Sequence, residues 1–373
     1  MLARDWLTGF PAVARKRVAV IGGGVSGLMA ALWASRYGYD ATVFEADLAS
    51  PTATRLSAGI IDPTVDVSLA PFALEALSIL SSLGLGVESR LLWVHRRGSC
   101  RRLEKLLSAA GLVEHSVAGE DTVGLGRYRV DLSPGEEMHI LRTMLVDTGT
   151  LYSLVSSSPG VDIVEDRVEY VGCGSLRLRR GGYREFDAII VAAGPWTGFI
   201  RGLETVASML RIYRCEALII RAGGGPLAVV DDVLDFYMSI HTSGDGILGD
   251  GCCAEIESPN EGYRYDGEVL EAVLGRSMRR LEGLGDAELV APVSAPCAVG
   301  RDSFPVLGGL PSCSRIHLLV GLDGVGVTLA PSLARLVLES IATGSRDYIP
   351  TGMAAWRRIS RGRGEVREPV GEC

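Results

Sequence analysis

A glycine-rich turn is the clearest sign of chemistry in this sequence. Gly22, Gly24 and Gly27 form a G-x-G-x-x-G pattern. Glycines in this pattern permit a tight turn, let the backbone approach a pyrophosphate and let a helix pack closely on a strand. The unpaired N–H groups at the start of that helix would bind the phosphates. Glu45, about twenty residues further on, would accept hydrogen bonds from ribose hydroxyls.

The elements that position this turn are those of a nucleotide-binding βαβ unit. Residues 18–21 are apolar enough for a buried strand, a helical pattern follows to Gly38, and residues 41–44 form a second apolar run. This context favours dinucleotide binding over a glycine turn with no ligand. A carboxylate at position 45 would repel a 2′-phosphate, so NADP is disfavoured.

The composition excludes several classes of protein. The 373 residues suffice for two modest domains, and 47% hydrophobic against 22% charged residues allows a large core. The net charge of −8 argues against a general nucleic-acid binder. No stretch of about 18 uncharged apolar residues occurs, so we expect no membrane span.

The cysteines and histidines suggest neither a disulfide framework nor a metal site. The eight cysteines are scattered without a C-x-x-C pair, and the five histidines lack a metal-ligand spacing. We therefore predict reduced thiols. The N-terminus lacks the long apolar segment of a signal peptide, so we expect a cytoplasmic protein.

Further along the chain, helix-like and strand-like patterns alternate. Strands are predicted within residues 161–193 and 211–253, with a hairpin turn at residues 243–246. A strand, a glycine turn and a helix are predicted near the C-terminus, with Pro331 in the first helical turn and Gly344 at the end. Other helices are predicted at residues 71–83, 103–110 and 268–284.

Four separated segments together resemble the D-amino acid oxidase/glycine oxidase (DAO) family of FAD-dependent oxidoreductases. The first is the glycine-turn unit at residues 18–47, and the second is RLSAGIIDP at residues 55–63. The third is DAIIVAAGPWT at residues 187–197, and the fourth, at residues 304–337, includes FPVLGG and LLVGLDGVGVTLAPSLARLV. Their order and spacing match the family over nearly the whole chain, and the resemblance implies FAD as the cofactor.

The resemblance also implies the domain organisation. We expect an α/β fold in which a Rossmann-like FAD-binding domain carries an inserted substrate domain of α+β type with an antiparallel sheet. The FAD-binding domain would comprise residues 16–86, 136–205 and 303–345. The substrate domain would comprise residues 87–135 and 206–302. Residues 1–15 and 346–373 would be terminal extensions.

The matched segments imply which residues contact FAD. The second glycine turn, residues 321–326, opens a helix whose N–H groups would stabilise negative charge on the flavin, although Asp323 could be a solvated loop acid. Val168 would contact the adenine side through its backbone. Arg55 would line the flavin or pyrophosphate, or pair with a nearby acid. The residues implied to contact FAD are Gly22, Gly24, Val25, Ser26, Gly27, Glu45, Ala46, Arg55, Ser57, Ala58, Gly59, Val168, Ala193, Gly194, Trp196, Asp323, Gly324, Val325, Gly326, Val327 and Thr328.

On the substrate side, the resemblance implies two candidate residues and one departure. Tyr237 lies in a segment similar to the family strand that carries an active-site tyrosine. Cys297 stands where relatives carry an arginine that binds the substrate carboxylate, and Arg301 is the only guanidinium nearby in sequence. Cys297 could be a buried free thiol, or it could tether the flavin as a cysteine does in some relatives.

The implied reaction is oxidation of the C–N bond of a small amino or imino acid, by hydride transfer to flavin N5. One alternative is a 2-hydroxy acid or polyol dehydrogenase that uses His241 as a base. Another is a noncatalytic FAD-binding subunit of a larger complex, because the arginine is missing. Lysine occurs only at Lys16 and Lys105, so the oxygen-activating lysine of relatives has no counterpart. The electron acceptor, oxygen or another, and the oligomeric state stay open.

Overall fold

The computed structural model describes residues 15–119, 122–250 and 254–357. In these residues the strands are β1 (Arg17–Ile21), β2 (Asp40–Glu45), β3 (Val87–Arg96), β4 (Val113–Ala118), β5 (Thr122–Leu125), β6 (Tyr128–Asp131), β7 (Glu136–Leu145), β8 (Val161–Glu165), β9 (Val168–Gly172), β10 (Ser175–Leu178), β11 (Gly182–Glu185), β12 (Ala188–Val191), β13 (Leu210–Arg221), β14 (Leu227–Asp231), β15 (Phe236–Ile240), β16 (Asp245–Gly249), β17 (Ala254–Ile256), β18 (Leu281–Glu282), β19 (Glu288–Gly300), β20 (Val306–Leu310) and β21 (Cys313–Val320). The α-helices are α1 (Val25–Arg36), α2 (Ala70–Ser82), α3 (Arg101–Ala109), α4 (Thr148–Ser156), α5 (Glu204–Ala207), α6 (Gly267–Arg280) and α7 (Gly326–Thr343).

The first of two large sheets has six strands in the order β20-β21-β12-β1-β2-β8. All are parallel except β20, which runs antiparallel at one edge. α1 and α7 pack on one face, and the small sheet of β9, β10 and β11 contributes to the core on the other. Strands covered on both faces read as continuous apolar runs, which is why the sequence revealed this βαβ unit. The predicted Rossmann-like part is confirmed.

The second large sheet has nine strands and is mostly antiparallel. Its order is β17-β13-β16-β15-β14-β3-β7-β4, and β19 pairs with β13 along most of its length. β7 belongs to this sheet because all ten of its residues pair with β3. The domain boundary predicted at residue 136 therefore differs from the structure, in which the second sheet includes residues up to Leu145.

Two predicted helix boundaries also need correction. The helix predicted to reach residue 284 ends at Arg280, because Leu281 pairs with Val130 in a short strand and Gly283 turns the chain at φ +96°. Pro331 was predicted in the first turn of its helix but lies inside α7, which begins at Gly326. The predicted stop at Gly344 is confirmed, with φ +71°. The other predicted helices are confirmed as α2 and α3.

The helical segment Asp323–Thr343 consists of a short turn followed by α7. It is long and apolar enough to cross a membrane, with a mean hydropathy of 1.4 over its most apolar window. However, 67% of that window is buried inside the fold. α7 contacts α1 and α2, and its apolar residues belong to the core between these helices and the first sheet. Its apolar character is that of a core helix.

The prediction of reduced thiols is wrong for Cys173 and Cys313. The two residues form a disulfide with a Cα–Cα distance of 5.7 Å, and Cys100 is also disulfide-bonded. Cys173 lies in the turn between β9 and β10, whereas Cys313 begins β21, so the bond ties the small sheet to the parallel sheet. Their 140-residue separation left no local signal in the sequence. A cytoplasmic location stays a prediction.

The terminal extensions predicted at residues 1–15 and 346–373 lie largely outside the described residues. The described part after residue 345 packs against the first sheet, where Ile349, Met353 and Ala354 are buried. Arg357 binds both carboxylate oxygens of Asp302 at 2.7 Å. Residues 346–357 are therefore part of the folded core.

A buried histidine gives the fold a testable pH dependence. Burial lowers the pKa of His317, on β21, from 6.5 to about 4. Between these values the unfolded chain binds more protons than the folded chain, so the free energy of unfolding falls as pH drops through this window. At about 1.36 kcal/mol per pKa unit, the effect is about 3 kcal/mol. We expect His317→Phe to flatten the urea-unfolding stability profile between these pH values.

The matched control is His115→Gln, because His115 is an exposed histidine on β4. Its stability profile should keep the slope of the unsubstituted protein. An unchanged slope in His317→Phe would contradict the assignment.

Candidate functional site

A cavity of about 790 Å³ runs from the glycine turn after β1 to the second sheet. Its floor is the carboxyl edge of the parallel sheet, where ligands bind in open α/β sheets. The end in the first sheet includes Gly22, Gly24 and Glu45. The opposite end includes Tyr237 from β15 and Glu216 from β13. The cavity therefore joins the predicted cofactor and substrate regions.

The glycine turn is held in a shape that only glycine allows. Gly22 has φ +103°, and a Cβ there would lie 2.5 Å from the Ala192 carbonyl oxygen. A Cβ on Gly27 would overlap the Gly22 carbonyl oxygen, so α1 could not pack so closely on β1. Glu45 Oε2 accepts a hydrogen bond from the Gly23 N–H at 2.6 Å. The start of α1 lines the cavity, and its N-cap, Gly24, has no side chain to cap the helix. Thr54 Oγ1 accepts a hydrogen bond from the Val25 N–H at 2.9 Å, while the positive end of the helix dipole faces the cavity.

A second helix N-terminus reaches the same cavity from α7. Asp323 has φ +54°, and open space surrounds the position that a Cβ on Gly324 would take. Thr328 Oγ1 accepts a hydrogen bond from the Asp62 N–H at 3.0 Å and donates one to the Ile60 carbonyl at 3.1 Å. This hydroxyl ties the loop of residues 55–63 to the start of α7. Both therefore flank one space, as the resemblance implied.

One carboxyl group of the cavity is shifted towards the neutral form. Burial raises the pKa of Asp62, although the N–H and hydroxyl of Thr64 donate hydrogen bonds to Asp62 Oδ1 at 2.8 and 2.6 Å. Asp323, beside the α7 N-terminus, is exposed on the cavity wall.

The structure brings most of the predicted cofactor residues to the cavity. All line it except Gly27, Arg55 and Gly59. Arg55 points elsewhere, because its guanidinium donates to the carbonyl groups of Leu48 and Ser50. Gly59 has φ +68°, and a Cβ there would overlap the Val146 carbonyl oxygen, so its place is structural.

At the substrate end, Tyr237 depends on a glycine in the next strand. Tyr237 pairs with Gly249 across β15 and β16, and a Cβ on Gly249 would overlap the tyrosine ring and hydroxyl. The ring therefore lies across the sheet surface towards the cavity. His241, the alternative base, does not line the cavity, and its Nε2 lies 3.3 Å from the Ala58 carbonyl oxygen.

The other two predicted substrate-side residues are separated. Arg301 is exposed, and its Nε donates to the Ser208 carbonyl at 3.0 Å. It lines a second cavity of about 300 Å³ and not the one that holds Tyr237. The structure thus does not bring Arg301 to the position of the missing arginine. Cys297 is a buried free thiol of β19 that lines the main cavity.

Sequence reasoning missed two buried carboxylates at the substrate end. Glu216 is 4% exposed, and its Oε1 lies 2.7 Å from Arg214 Nε while Oε2 accepts from the Asp266 N–H at 2.6 Å. Asp250 is 5% exposed and lies 3.1 Å from Arg276 Nη2. The sequence signal for Glu216 was a charged residue directly before the apolar run of residues 217–220.

The sequence model of the FAD dependent oxidoreductase family, DAO, matches residues 17–340. The chain belongs to this family. FAD is therefore its cofactor, and the protein is an FAD-dependent oxidoreductase. No curated protein sequence matches the chain.

Solved structures support the fold of this DAO-family protein. It is similar to glycine oxidase from Bacillus cereus ATCC 14579, with a TM-score of 0.77 and 16% identity over 93% of this chain and 100% of that one. Iminodiacetate oxidase from Chelativorans sp. BNC1 gives 0.71 and 21%, covering 90% and 97%. L-Proline dehydrogenase from P. horikoshii gives 0.74 and 15%, covering 90% and 95%. At such identities the likeness establishes the fold.

The residues present fit FAD. Gly22 and Gly27 allow the tight turn that brings the start of α1 to the cavity, and Gly324 leaves open space beside the α7 N-terminus. Glu45 lines the cavity at the end of β2, where a ribose would reach it. Ala58 and Val168 also line this cavity.

The glycine turn can be tested with a matched pair of variants. Gly22 and Gly38 both have positive φ, so either alanine substitution costs about 1–2 kcal/mol of backbone strain. At Gly22 the new Cβ would also collide with the backbone, whereas at Gly38 no atom lies within 4 Å of it. We expect Gly22→Ala to weaken FAD binding more than about tenfold, measured by flavin absorbance after gel filtration and by FAD titration.

Gly38→Ala should retain FAD, although its free energy of unfolding should fall by about as much as backbone strain lowers that of Gly22→Ala. Equal FAD retention by the two folded variants would contradict the role of the turn.

Proposed function

We propose that this protein oxidises the C–N bond of a small amino or imino acid. The observation that carries the proposal is the pair of buried carboxylates, Glu216 and Asp250, that line the cavity together with Tyr237. Bound FAD supplies the acceptor for the hydride that leaves the C–H bond next to nitrogen, and water hydrolyses the resulting imine. The names of similar structures, among them glycine oxidase and L-proline dehydrogenase, agree with such substrates.

The carboxylates are suited to bind the substrate nitrogen. Arg214 and the Asp266 N–H hold Glu216, and Arg276 holds Asp250, so each carboxylate has a fixed direction. A carboxylate has about four lone-pair sites, and the contacts of Glu216 with Arg214 and Asp266 leave sites for an ammonium or amine N–H. Fixing the nitrogen in this way would orient the adjacent C–H bond, which is the main task left to the protein.

The substrate carboxylate would be bound by neutral groups. Tyr237, Asn260 and Tyr263 line this end of the cavity and offer hydroxyl or amide donors. Among the described residues that line the cavity, Arg167 is the one arginine, and it neighbours Asp166 and Val168 at the other end. Each hydrogen bond from a neutral donor to the charged carboxylate contributes about 1.5–3 kcal/mol. The carboxylate would therefore be recognised by hydrogen bonds without a guanidinium partner.

The cavity is less suited to a hydroxy acid. Oxidation of a hydroxyl group needs a base to remove its proton. No histidine occurs among the described residues that line the cavity, and His241 contacts the Ala58 carbonyl oxygen instead. The hydroxyl alternative therefore loses the base assigned to it, and a carboxylate such as Glu216 would have to replace it.

Anaerobic mixing with a substrate panel tests the proposal. The panel pairs each amino or imino acid with the amine that lacks its carboxylate and with the corresponding 2-hydroxy acid. We expect amino or imino acids to bleach the flavin absorbance. Because several donors bind the carboxylate, its removal should lower the second-order rate constant for bleaching by more than about tenfold.

Bleaching by hydroxy acids alone would replace the proposal with the dehydrogenase alternative. No bleaching by any member, with FAD bound, would favour the noncatalytic subunit. An unchanged rate constant with the decarboxylated amines would contradict recognition of the carboxylate by these donors.

Tyr237→Phe tests the tyrosine separately. Loss of one hydrogen bond to the substrate should lower the second-order rate constant for flavin reduction by about 5- to 30-fold, without loss of FAD. Tyr183→Phe is the control, since Tyr183 is 68% exposed and remote from the lining residues. An unchanged rate in Tyr237→Phe would remove this residue from the substrate site.

A further inference from the structure

Away from the flavin cavity, four side chains with metal-binding atoms converge on one point. They are His95 on β3, Glu104 on α3, and Glu137 and His139 on β7, and one ligand atom of each lies within 4.8 Å of all the others. His95 Nε2 is 3.7 Å from Glu104 Oε1, and His139 Nε2 is 3.8 Å from Glu137 Oε1. Two imidazoles and two carboxylates form a ligand set typical of transition metals.

The sheet register explains how the cluster forms. His95 pairs with Glu137 across the antiparallel strands β3 and β7, and His139 lies two residues further along the same face. α3 packs on this face, where Leu103 and Leu107 share a core cluster with Trp93. α3 thereby brings Glu104 to the two histidines.

Hydrogen bonds orient both histidine rings towards this point. His95 Nδ1 lies 3.0 Å from the Arg96 carbonyl oxygen, which can only accept, so Nδ1 carries the proton and Nε2 has a free lone pair. His139 Nδ1 lies 2.7 Å from Ser116 Oγ. Such contacts at the second nitrogen are typical of metal-binding histidines.

The atoms aimed at the centre are buried and have no partner. His95 is 1% exposed and His139 is 6% exposed. Their Nε2 atoms, and Glu104 Oε1, are buried without a hydrogen-bond partner among the described residues. An unpaired buried polar atom costs about 1–3 kcal/mol, so three of them at one point call for a ligand.

Simple ion pairs account poorly for this arrangement. Separations of 3.7 and 3.8 Å between nitrogen and oxygen are too long for hydrogen bonds. The two rings are stacked with centroids 5.2 Å apart, so protonating both would bury two like charges side by side. A central cation resolves both difficulties, because ligand atoms about 2.0–2.2 Å from a tetrahedral zinc ion lie about 3.4 Å from one another.

We propose that His95, Glu104, Glu137 and His139 bind one divalent transition-metal ion, for which Zn²⁺ is the best fit. Ca²⁺ and Mg²⁺ prefer oxygen ligands, whereas half of this set is imidazole. Four protein ligands leave no open position, so the site is structural. The two carboxylate side chains are about one fifth exposed, which leaves a path for the metal.

The metal would hold α3 and Trp93 against the sheet behind the substrate end. Trp93 packs against His95 and His139 with tilted ring planes and centroid distances of 4.2 and 5.5 Å. Across neighbouring strands, His139 pairs with Trp93, Trp93 with Val230, and Val230 with Tyr237. At the usual strand spacing, Tyr237 is therefore about 14 Å from His139. Val230 and Tyr237 both line the cavity, so the metal supports one wall without touching substrate.

Metal analysis of the FAD-loaded full chain, prepared without a histidine tag, tests the proposal. The protein is stripped with EDTA, incubated with Zn²⁺, passed through gel filtration and analysed by mass spectrometry for zinc. We expect about one zinc ion per chain, and a thermal midpoint that rises with Zn²⁺ and falls again with EDTA. The zinc-edge absorption spectrum should contain only nitrogen and oxygen neighbours at about 2.0–2.2 Å, with imidazole scattering.

Two variants complete the test. His95→Gln/His139→Gln should retain less than about a tenth of the zinc, whereas His115→Gln, at an exposed histidine, should retain all of it. Glu104→Gln, at a partly exposed ligand, should weaken zinc binding by more than about tenfold while keeping bound FAD as evidence of folding. Zinc-free wild-type protein, sulfur neighbours at about 2.3 Å, or full retention by the double variant would overturn the proposal.

Discussion

The structure depends on two helix N-termini that open onto one edge of a parallel sheet. β1 and β21 flank β12, and because all three are parallel, the turns that follow β1 and β21 lie at the same edge. α1 and α7 begin at these turns, where glycines permit a tight turn before α1 and open space before α7. The two dipoles favour an elongated ligand with an anionic group at one place and a group that takes up negative charge at the other. FAD, the cofactor of this family, has a pyrophosphate and a reducible flavin.

The second sheet forms the far wall of the cavity at this edge. β13, β15 and β19 contribute Glu216, Tyr237 and Cys297 to the far end of the cavity. Thr328 forms hydrogen bonds to the 55–63 loop. These bonds join the start of α7, at the cofactor end of the cavity, to the segment that leads into the second sheet. Substrate chemistry therefore depends on packing between sheets, whereas cofactor binding depends mainly on turns within one sheet. The proposed metal would stabilise the second sheet at β3 and β7, which lie towards the edge opposite to β13.

The sequence predicted the features that arise from local geometry. The turn at Gly22 and the helix stop at Gly344 were predictable, because each reflects a backbone conformation that favours glycine. The residues that sequence reasoning misplaced or missed depend on long-range pairing. Arg301 is near Cys297 in the sequence, but β19 ends at Gly300 and its side chain turns to Ser208. The disulfide and the buried pair of His95 and His139 join segments whose spacing carries no motif.

The cavity between the two sheets should bind one FAD per chain. The direct measurement is the absorbance spectrum of the purified full chain, repeated on the supernatant and pellet after acid precipitation, with any released compound identified by chromatography. We predict a flavin spectrum near one equivalent per chain, and the share that stays in the pellet reports whether Cys297, which lines the cavity, tethers the flavin. A protein that remains colourless after incubation with FAD would show that the cavity does not hold the cofactor.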